Sequence, residues 1–132
     1  MKSIPRPVLI ATLCAGLACW GARLGAAEHT KDSLDTVKKS VAEQKAVLVD
    51  VREQSEWDDG HLDGALLVPL SALKKGEQPK SLPKDKVVYA HCASGKRCLA
   101  AADLLNKLGY DVRPLKAGYK DLVKAGFKKA EN

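Results

Sequence analysis

Cys92 and the residues that follow it form the stretch of this chain best suited to chemistry. The run Cys-Ala-Ser-Gly-Lys-Arg-Cys over residues 92–98 follows an apolar run at residues 87–90 and leads into an Ala/Leu-rich segment of helical period. The thiol therefore lies between a buried strand and a helix start, where free backbone N–H groups favour negative charge. This position predicts an anion site around the Cys92 sulfur.

The loop after Cys92 has features that favour the thiolate over the thiol. Gly95 can adopt a backbone conformation that other residues resist, which lets the N–H groups of residues 93–97 turn toward the sulfur. Lys96 and Arg97 add positive charge beside it. Because the thiolate is the nucleophilic form, we expect the pKa of Cys92 to lie below the free value of about 8.5. A buried structural cysteine is the plainer alternative.

Strands and helices alternate along the chain around this loop. Buried strands are predicted at residues 46–51, 64–69, 87–91 and 111–115. Helices are predicted at residues 33–44, 54–59, 71–76, 97–108 and 119–125, with a loose tail beyond Phe127. This alternation predicts an α/β domain with a central parallel sheet and helices on both faces.

The N-terminal segment has the pattern of a secretory signal peptide. A basic start precedes an apolar run over residues 8–22, and small residues follow up to Ala27. We expect cleavage near Ala27, which assigns residues 1–27 to the signal and residues 28–132 to a single domain exported to the bacterial periplasm. An uncleaved anchor and lipidation at Cys19 are the alternatives, although the run is shorter than the roughly 18 residues of a spanning helix.

The exported part has a composition that disfavours several classes of function. Without the three basic residues of the signal it carries 19 basic and 16 acidic residues, interspersed along the chain rather than clustered as nucleic-acid binding requires. No group of residues has metal-ligand spacing. Cys92 and Cys98 are the remaining cysteines, too few for a disulfide-stapled domain. We expect a monomer that binds neither nucleic acid nor, once the signal is cleaved, a membrane.

Residues 92–97 resemble the six-residue active-site loop of rhodanese-type sulfurtransferases. The upstream stretches 49–53 and 56–65 and the downstream stretches 108–112 and 117–119 resemble further motifs of that family in the same order. The resemblance covers roughly residues 33–127. It implies a rhodanese-like domain with a central parallel sheet of about five strands, of which four are visible in the sequence.

The resemblance also implies a reaction. Cys92 would attack the outer sulfur of a small anionic donor such as thiosulfate, become a persulfide, and pass the sulfur to cyanide or a thiol, without a metal or organic cofactor. The substrate-binding residues would be those of the loop, namely Ala93, Ser94, Gly95, Lys96 and Arg97. Their N–H groups would stabilise the persulfide, and the two cations would bind the sulfonate of the donor. Asp50 and Arg52 would support the loop from beneath.

Cys98 departs from the serine common in the family and leaves two roles open. It can cap the helix as a serine would, or act as a resolving thiol that attacks a Cys92 persulfide or oxidised Cys92 to form a disulfide. The second role makes a non-enzymatic persulfide or disulfide carrier, or a redox partner of a protein thiol, the alternative to an enzyme. An inactive binding module is disfavoured by the intact Cys92.

A phosphatase-like or arsenate-reductase-like activity is a further, weaker alternative. Those enzymes resemble this chain in having an arginine after the cysteine, but their loops place five residues between the two, whereas four separate Cys92 and Arg97. The shorter loop leaves less room for a tetrahedral oxyanion.

Several charged and polar residues near the predicted site are expected to be structural. Glu56 and Asp58 are candidate partners of Arg52. His61 is expected to make a structural hydrogen bond, and His91 is expected to point away from the neighbouring Cys92 because side chains alternate along a strand.

Overall fold

Two apolar runs of the sequence form the centre of a parallel sheet. The computed structural model describes residues 26–131, and the predicted signal peptide, with Cys14 and Cys19, lies almost entirely outside them. Within the described part, no helix has the length and apolar character needed to cross a membrane. The elements are, in order, α1 (Leu34–Ala42), β1 (Ala46–Asp50), α2 (Gln54–Asp59), β2 (Leu66–Leu67), α3 (Leu70–Lys74), β3 (Val87–His91), α4 (Arg97–Lys107), β4 (Asp111–Pro114) and α5 (Tyr119–Lys124).

The sheet is parallel, with the strand order β2-β1-β3-β4. The predicted α/β class and parallel sheet are confirmed. The described residues form four strands, however, and not the five implied by the family resemblance. Residues 26–30 run toward the edge strand β4 but share one backbone hydrogen bond with it, from Thr30 N to Pro114 O at 2.8 Å. Pro114 has no N–H to continue a ladder.

The register of the two central strands places the reactive cysteine at the carboxyl end of the sheet. β1 and β3 are paired along their full length, so that Asp50 lies opposite His91 at the carboxyl ends of both strands. Cys92 is the next residue along the chain. In parallel sheets ligands bind beyond the carboxyl ends of the strands. The pairing of β1 with β3 therefore places Cys92 on the side of the sheet where substrates bind.

Alternating side chains of the central strands fill two cores, one on each face. Val49 and Ala90 belong to the core covered by α3 and α4. Leu48 and Tyr89 belong to the core covered by α1 and α5. The period of two residues along a strand explains the division, and the prediction of helices on both faces is confirmed.

The C-terminal tail is hydrogen-bonded to the rest of the fold, so the expectation of a loose tail beyond Phe127 was wrong. Asp63 N donates to Lys128 O at 2.8 Å, and Ala130 N donates to His61 O at 2.9 Å. These bonds join the tail to the turn before β2 in a short antiparallel bridge. Such pairing depends on tertiary proximity and leaves no periodic signal in a stretch of five polar or small residues.

Two glycines allow the chain after β4 to approach the loop after β3. Gly95 has a φ of +84°, and a side chain there would also place its Cβ 2.5 Å from Lys116 O. A Cβ at Gly118 would collide with the carbonyl oxygen of Ala93. The second residue of the Ala117-Gly118 pair must therefore be glycine for steric reasons.

We predict that Gly118→Ala destabilises the fold by about 1–3 kcal/mol through overpacking against Ala93. Gly76→Ala is a control that separates backbone strain from a collision, because Gly76 has a φ of +85° and open space around its Cβ, whereas Gly118 has an ordinary φ of −81°. We expect Gly76→Ala to cost about 1 kcal/mol of backbone strain. Urea unfolding gives both values, and only Gly118→Ala should also slow alkylation of Cys92. Equal Cys92 reactivity in the two variants would show that the contact does not shape the loop.

Candidate active site

Cys92 lies at the bottom of a loop between β3 and α4, with no exposed surface of its own. Ala93, Ser94 and Lys96 are exposed and form the rim, whereas Gly95 is buried. Gly95 N donates to the Cys92 sulfur at 3.1 Å. The loop thus folds over the sulfur and points backbone donors at it, which is the arrangement expected of an anion site.

Hydrogen bonds to the Cys92 sulfur outweigh the cost of burying its charge. A hydrogen bond from the Cys98 thiol, together with the backbone N–H groups of Cys98, Ser94 and Gly95, lowers the pKa of Cys92 to about 5, although burial acts in the opposite direction. The lowered pKa agrees with the expectation from the sequence. At neutral pH Cys92 is therefore a thiolate, the form that attacks sulfur and other electrophiles.

Cys98 is a buried thiol whose single proton has three acceptors within reach. Its sulfur lies 3.3 Å from Gly95 O and 3.3 Å from Leu115 O, and it also interacts with the Cys92 sulfur. The hydrogen bond to Cys92, burial and the negative charge of Cys92 raise the pKa of Cys98 far above its ordinary value. Cys98 is accordingly a proton donor, and it lacks the thiolate character of a resolving nucleophile.

The first turn of α4 is organised around the Cys92 sulfur rather than around the Cys98 side chain. The residue at the N-cap position is Lys96, whose side chain makes no capping hydrogen bond. Cys98 is the second residue of the helix and its backbone N–H contributes to the lowered pKa of Cys92. The sulfur of Cys92 thus takes the place of a capping side chain.

Arg97 is held in a two-pronged ion pair by Glu56 of α2. Arg97 Nη1 and Nη2 each lie 2.7 Å from a carboxylate oxygen of Glu56, and both side chains are about one-third exposed. The hydrogen bond from Arg97 is the main cause that lowers the pKa of Glu56 to about 2. The interpretation of Glu56 and Asp58 as partners of Arg52 was wrong. Glu56 binds Arg97, and Asp58 accepts a hydrogen bond from Gln54. Arg52 binds Asp50 instead.

Asp50 and Arg52 form a buried pair beneath the loop. Arg52 Nη2 lies 2.7 Å from Asp50 Oδ2 and also donates to Gly60 O at 2.8 Å. The guanidinium lies over the ring of Tyr119, 4.2 Å from its centroid. Tyr119 N in turn donates to Cys92 O at 2.9 Å. The pair therefore contacts the residue that holds the Cys92 backbone, which is a route by which Asp50 and Arg52 can support the loop.

His61 and His91 have structural surroundings. His91 is fully buried and lies on the face of β3 opposite Cys92, with its Nδ1 3.3 Å from Cys92 O. Burial lowers the pKa of His91, so that the ring is neutral. His61 stacks on Trp57 with ring centroids 3.6 Å apart and bonds Trp57 O through Nδ1 at 3.0 Å. The hydrogen bonds of both rings thus go to backbone carbonyl oxygens and not to the Cys92 sulfur.

Sequence reasoning missed two residues that touch the loop. Tyr119 was noticed only as part of a motif, and its backbone role depends on where α5 begins. His29 lies in a segment with no periodicity, yet its Nε2 is 2.6 Å from Gly95 O. Within residues 26–131, no three His, Cys, Asp or Glu side chains come together as metal ligands.

Alkylation of Cys92 with iodoacetamide should show an inflection near pH 5. Cys98→Ala should raise that inflection by about one pH unit, because it removes one hydrogen bond to the thiolate. Cys98→Ser is the matched variant and should restore most of the shift, since a hydroxyl also donates. An inflection unchanged in Cys98→Ala would place the Cys98 proton on a carbonyl oxygen and contradict the assignment.

Replacement of Glu56 by glutamine should make the free energy of unfolding fall less steeply as the pH drops below 4.5. The folded-state pKa of Glu56 is depressed from 4.5 to about 2, so its contribution is present above pH 4.5 and is lost as the pH falls toward 2. Because the pair is one-third exposed, Glu56→Gln should cost less than about 1 kcal/mol at neutral pH. Urea unfolding between pH 2 and 7 measures this effect, with the exposed Glu77→Gln as control. Parallel stability curves for parent and Glu56→Gln would contradict it.

The chain is similar to several curated proteins. The chain is 39% identical over 67 residues to the probable adenylyltransferase/sulfurtransferase MoeZ of Mycobacterium tuberculosis, covering 51% of this chain and 17% of that protein. It is 32% identical over 85 residues to a putative mitochondrial thiosulfate sulfurtransferase of Schizosaccharomyces pombe, covering 55% and 59%. The chain thus spans less than two thirds of the length of these curated relatives.

Solved structures and a family model extend this similarity to most of the chain. The human single-domain sulfurtransferase TSTD1 matches with a TM-score of 0.63 and 29% identity, covering 70% of this chain and 94% of that one. The family model described as "Rhodanese-like domain" matches residues 33–125. The chain therefore belongs to the rhodanese-like family.

Proposed function

We propose that this protein is a sulfurtransferase that carries a sulfane sulfur on Cys92. The single observation that supports this most is the enclosed Cys92 sulfur, which accepts backbone N–H donors and has a pKa of about 5. A nucleophile with these surroundings suits a reaction whose intermediate is itself a negatively charged sulfur. Membership of the rhodanese-like family supports the same class of chemistry.

The proposed reaction balances without an added oxidant or reductant. The Cys92 thiolate attacks the outer sulfur of thiosulfate, the S–S bond of the donor breaks, and sulfite leaves with the electron pair of that bond. Cys92 becomes a persulfide and keeps one negative charge. Cyanide or a thiolate then attacks the outer sulfur of the persulfide, and the Cys92 thiolate leaves and is regenerated.

The shape and charge of the loop favour a small anionic donor. Cys92 has no exposed surface, so a donor must displace part of the loop to reach its sulfur, and a small donor requires the least displacement. The exposed Lys96 lies on the rim, where the sulfonate part of thiosulfate would remain. Arg97 is bound to Glu56 through both Nη atoms. We therefore assign the first contact with the sulfonate to Lys96, and to Arg97 a share in the local positive charge.

A sulfur carrier that does not turn over is the second candidate. It would use the same Cys92 persulfide and pass the sulfur to a protein thiol. The exposed Ala93, Ser94 and Lys96 around the sulfur favour this candidate, because they leave the rim of the loop accessible to a partner. The two candidates differ in turnover with small acceptors and not in the first step.

We also propose that the domain is exported to the periplasm and works there as a monomer after cleavage near Ala27. The basis is the charge and apolar pattern of residues 1–27. Intact mass of the protein recovered from a periplasmic fraction tests the cleavage position, and sedimentation tests the monomer.

Intact-mass spectrometry after thiosulfate treatment tests the proposed function. We expect the mass of one added sulfur atom on the parent protein, no addition to Cys92→Ser, and full addition to Cys98→Ser. Thiocyanate production from thiosulfate and cyanide should likewise occur with the parent protein and with Cys98→Ser, and it should be absent with Cys92→Ser. Loading without turnover would support the carrier, a Cys92–Cys98 disulfide would support a redox partner, and no loading at all would refute both forms of sulfur transfer.

A further inference from the structure

Residues 28–32, the part of the N-terminal segment that remains after the proposed cleavage near Ala27, contact both the active-site loop and the edge strand β4. We call this segment the strap. Thr30 N donates to Pro114 O of β4 at 2.8 Å. Asp32 Oδ2 accepts from Tyr89 at 2.7 Å. Thr30 and Asp32 thus fix the strap directly after His29, and the strap lies outside the part of the chain matched by the family model.

The fixed strap presents the His29 ring to the loop that encloses Cys92. His29 Nε2 lies 2.6 Å from Gly95 O. A carbonyl oxygen has no proton to give, so at this distance Nε2 must carry the hydrogen and donate it. The bond joins two groups that are 66 residues apart in the chain.

Gly95 is the loop residue whose conformation most needs an external restraint. Glycine loses more conformational freedom on folding than any other residue, and Gly95 adopts a φ of +84° beside Lys116 O. Its N–H group donates to the Cys92 sulfur, while its carbonyl oxygen accepts from His29 and Cys98. A restraint on the carbonyl is thus also a restraint on the donor that faces the sulfur.

The same hydrogen bond influences where the Cys98 proton goes. Gly95 O and Leu115 O both compete with the Cys92 sulfur for that single proton. A carbonyl oxygen that already accepts a strong hydrogen bond from His29 is a poorer acceptor for a second, weak S–H donor. Donation by His29 therefore favours the Cys98 orientation that serves Cys92.

We propose that His29 is a positioning residue of the active site, whose ring N–H fixes the Gly95 carbonyl and, through it, the hydrogen bonds to the Cys92 sulfur. The inference rests on the proposed role of Cys92 as the reactive thiol. It adds to the family loop a support from outside the matched domain. His29 itself does not touch the reacting atoms.

The pH profile of Cys92 alkylation tests this role without any sulfur donor. His29→Ala should lower the alkylation rate constant at pH 5 about threefold relative to parent, as the loss of one hydrogen bond predicts. His29→Gln should restore it, because the Gln side-chain amide can donate from a similar position. Thr30→Ala is the matched control in the strap, since its hydroxyl contacts Asp32 N and not the loop, and it should behave as parent.

Three results would overturn the inference. They are an unchanged profile in His29→Ala, equal shifts in His29→Ala and Thr30→Ala, and failure of His29→Gln to restore the rate. Nitrogen NMR of the parent gives a check that needs no variant, because the His29 ring should carry a proton on Nε2, and a ring protonated on Nδ1 alone would contradict the hydrogen bond. Failure of the parent to accept sulfur would refute the proposed function and leave these measurements valid.

Discussion

A buried sulfur that must remain negatively charged is the constraint on which the rest of this structure depends. An unpaired charge without solvent costs several kcal/mol, and the cost falls only when hydrogen-bond donors replace water. Here the donors are the Cys98 thiol and backbone N–H groups of the loop and of the first turn of α4. Backbone donors depend on loop shape more than on side-chain identity. Because the loop shape requires glycine at Gly95 and Gly118, these two glycines are also needed to keep the sulfur negatively charged.

The loop is held from three directions by contacts of different kinds. Beneath it, the Asp50–Arg52 pair contacts Tyr119, which anchors the backbone of Cys92. Beside it, the chain at residues 116–118 approaches so closely that glycine is required. Above it, the strap reaches Gly95 through a side chain. The arginines near the site are bound to carboxylates, so short-range hydrogen bonds, rather than free positive charge, set the state of the thiol.

Much of the fold was predictable because local signals were strong. β1 and β3 are short apolar runs, α4 has a clear apolar period, and the position of Cys92 between a strand and a helix followed from both. The pairing of charges was not predictable, because α2 and α4 come together from positions 41 residues apart. The contacts of the tail and of His29 are equally long-range and involve segments without periodicity. Sequence patterns report which face of an element is buried, but they do not report which distant segment covers it.

The way the sheet ends has a consequence for self-association. An exposed edge strand offers unpaired backbone groups to which another chain can add, and this is a common start of aggregation. In this sheet one edge, β2, has two residues. The other edge, β4, finishes in Pro114, whose carbonyl is already bound by Thr30. The strap that supports the active-site loop therefore also protects a sheet edge, and its loss would expose the protein to edge-to-edge pairing as well as to a change in reactivity.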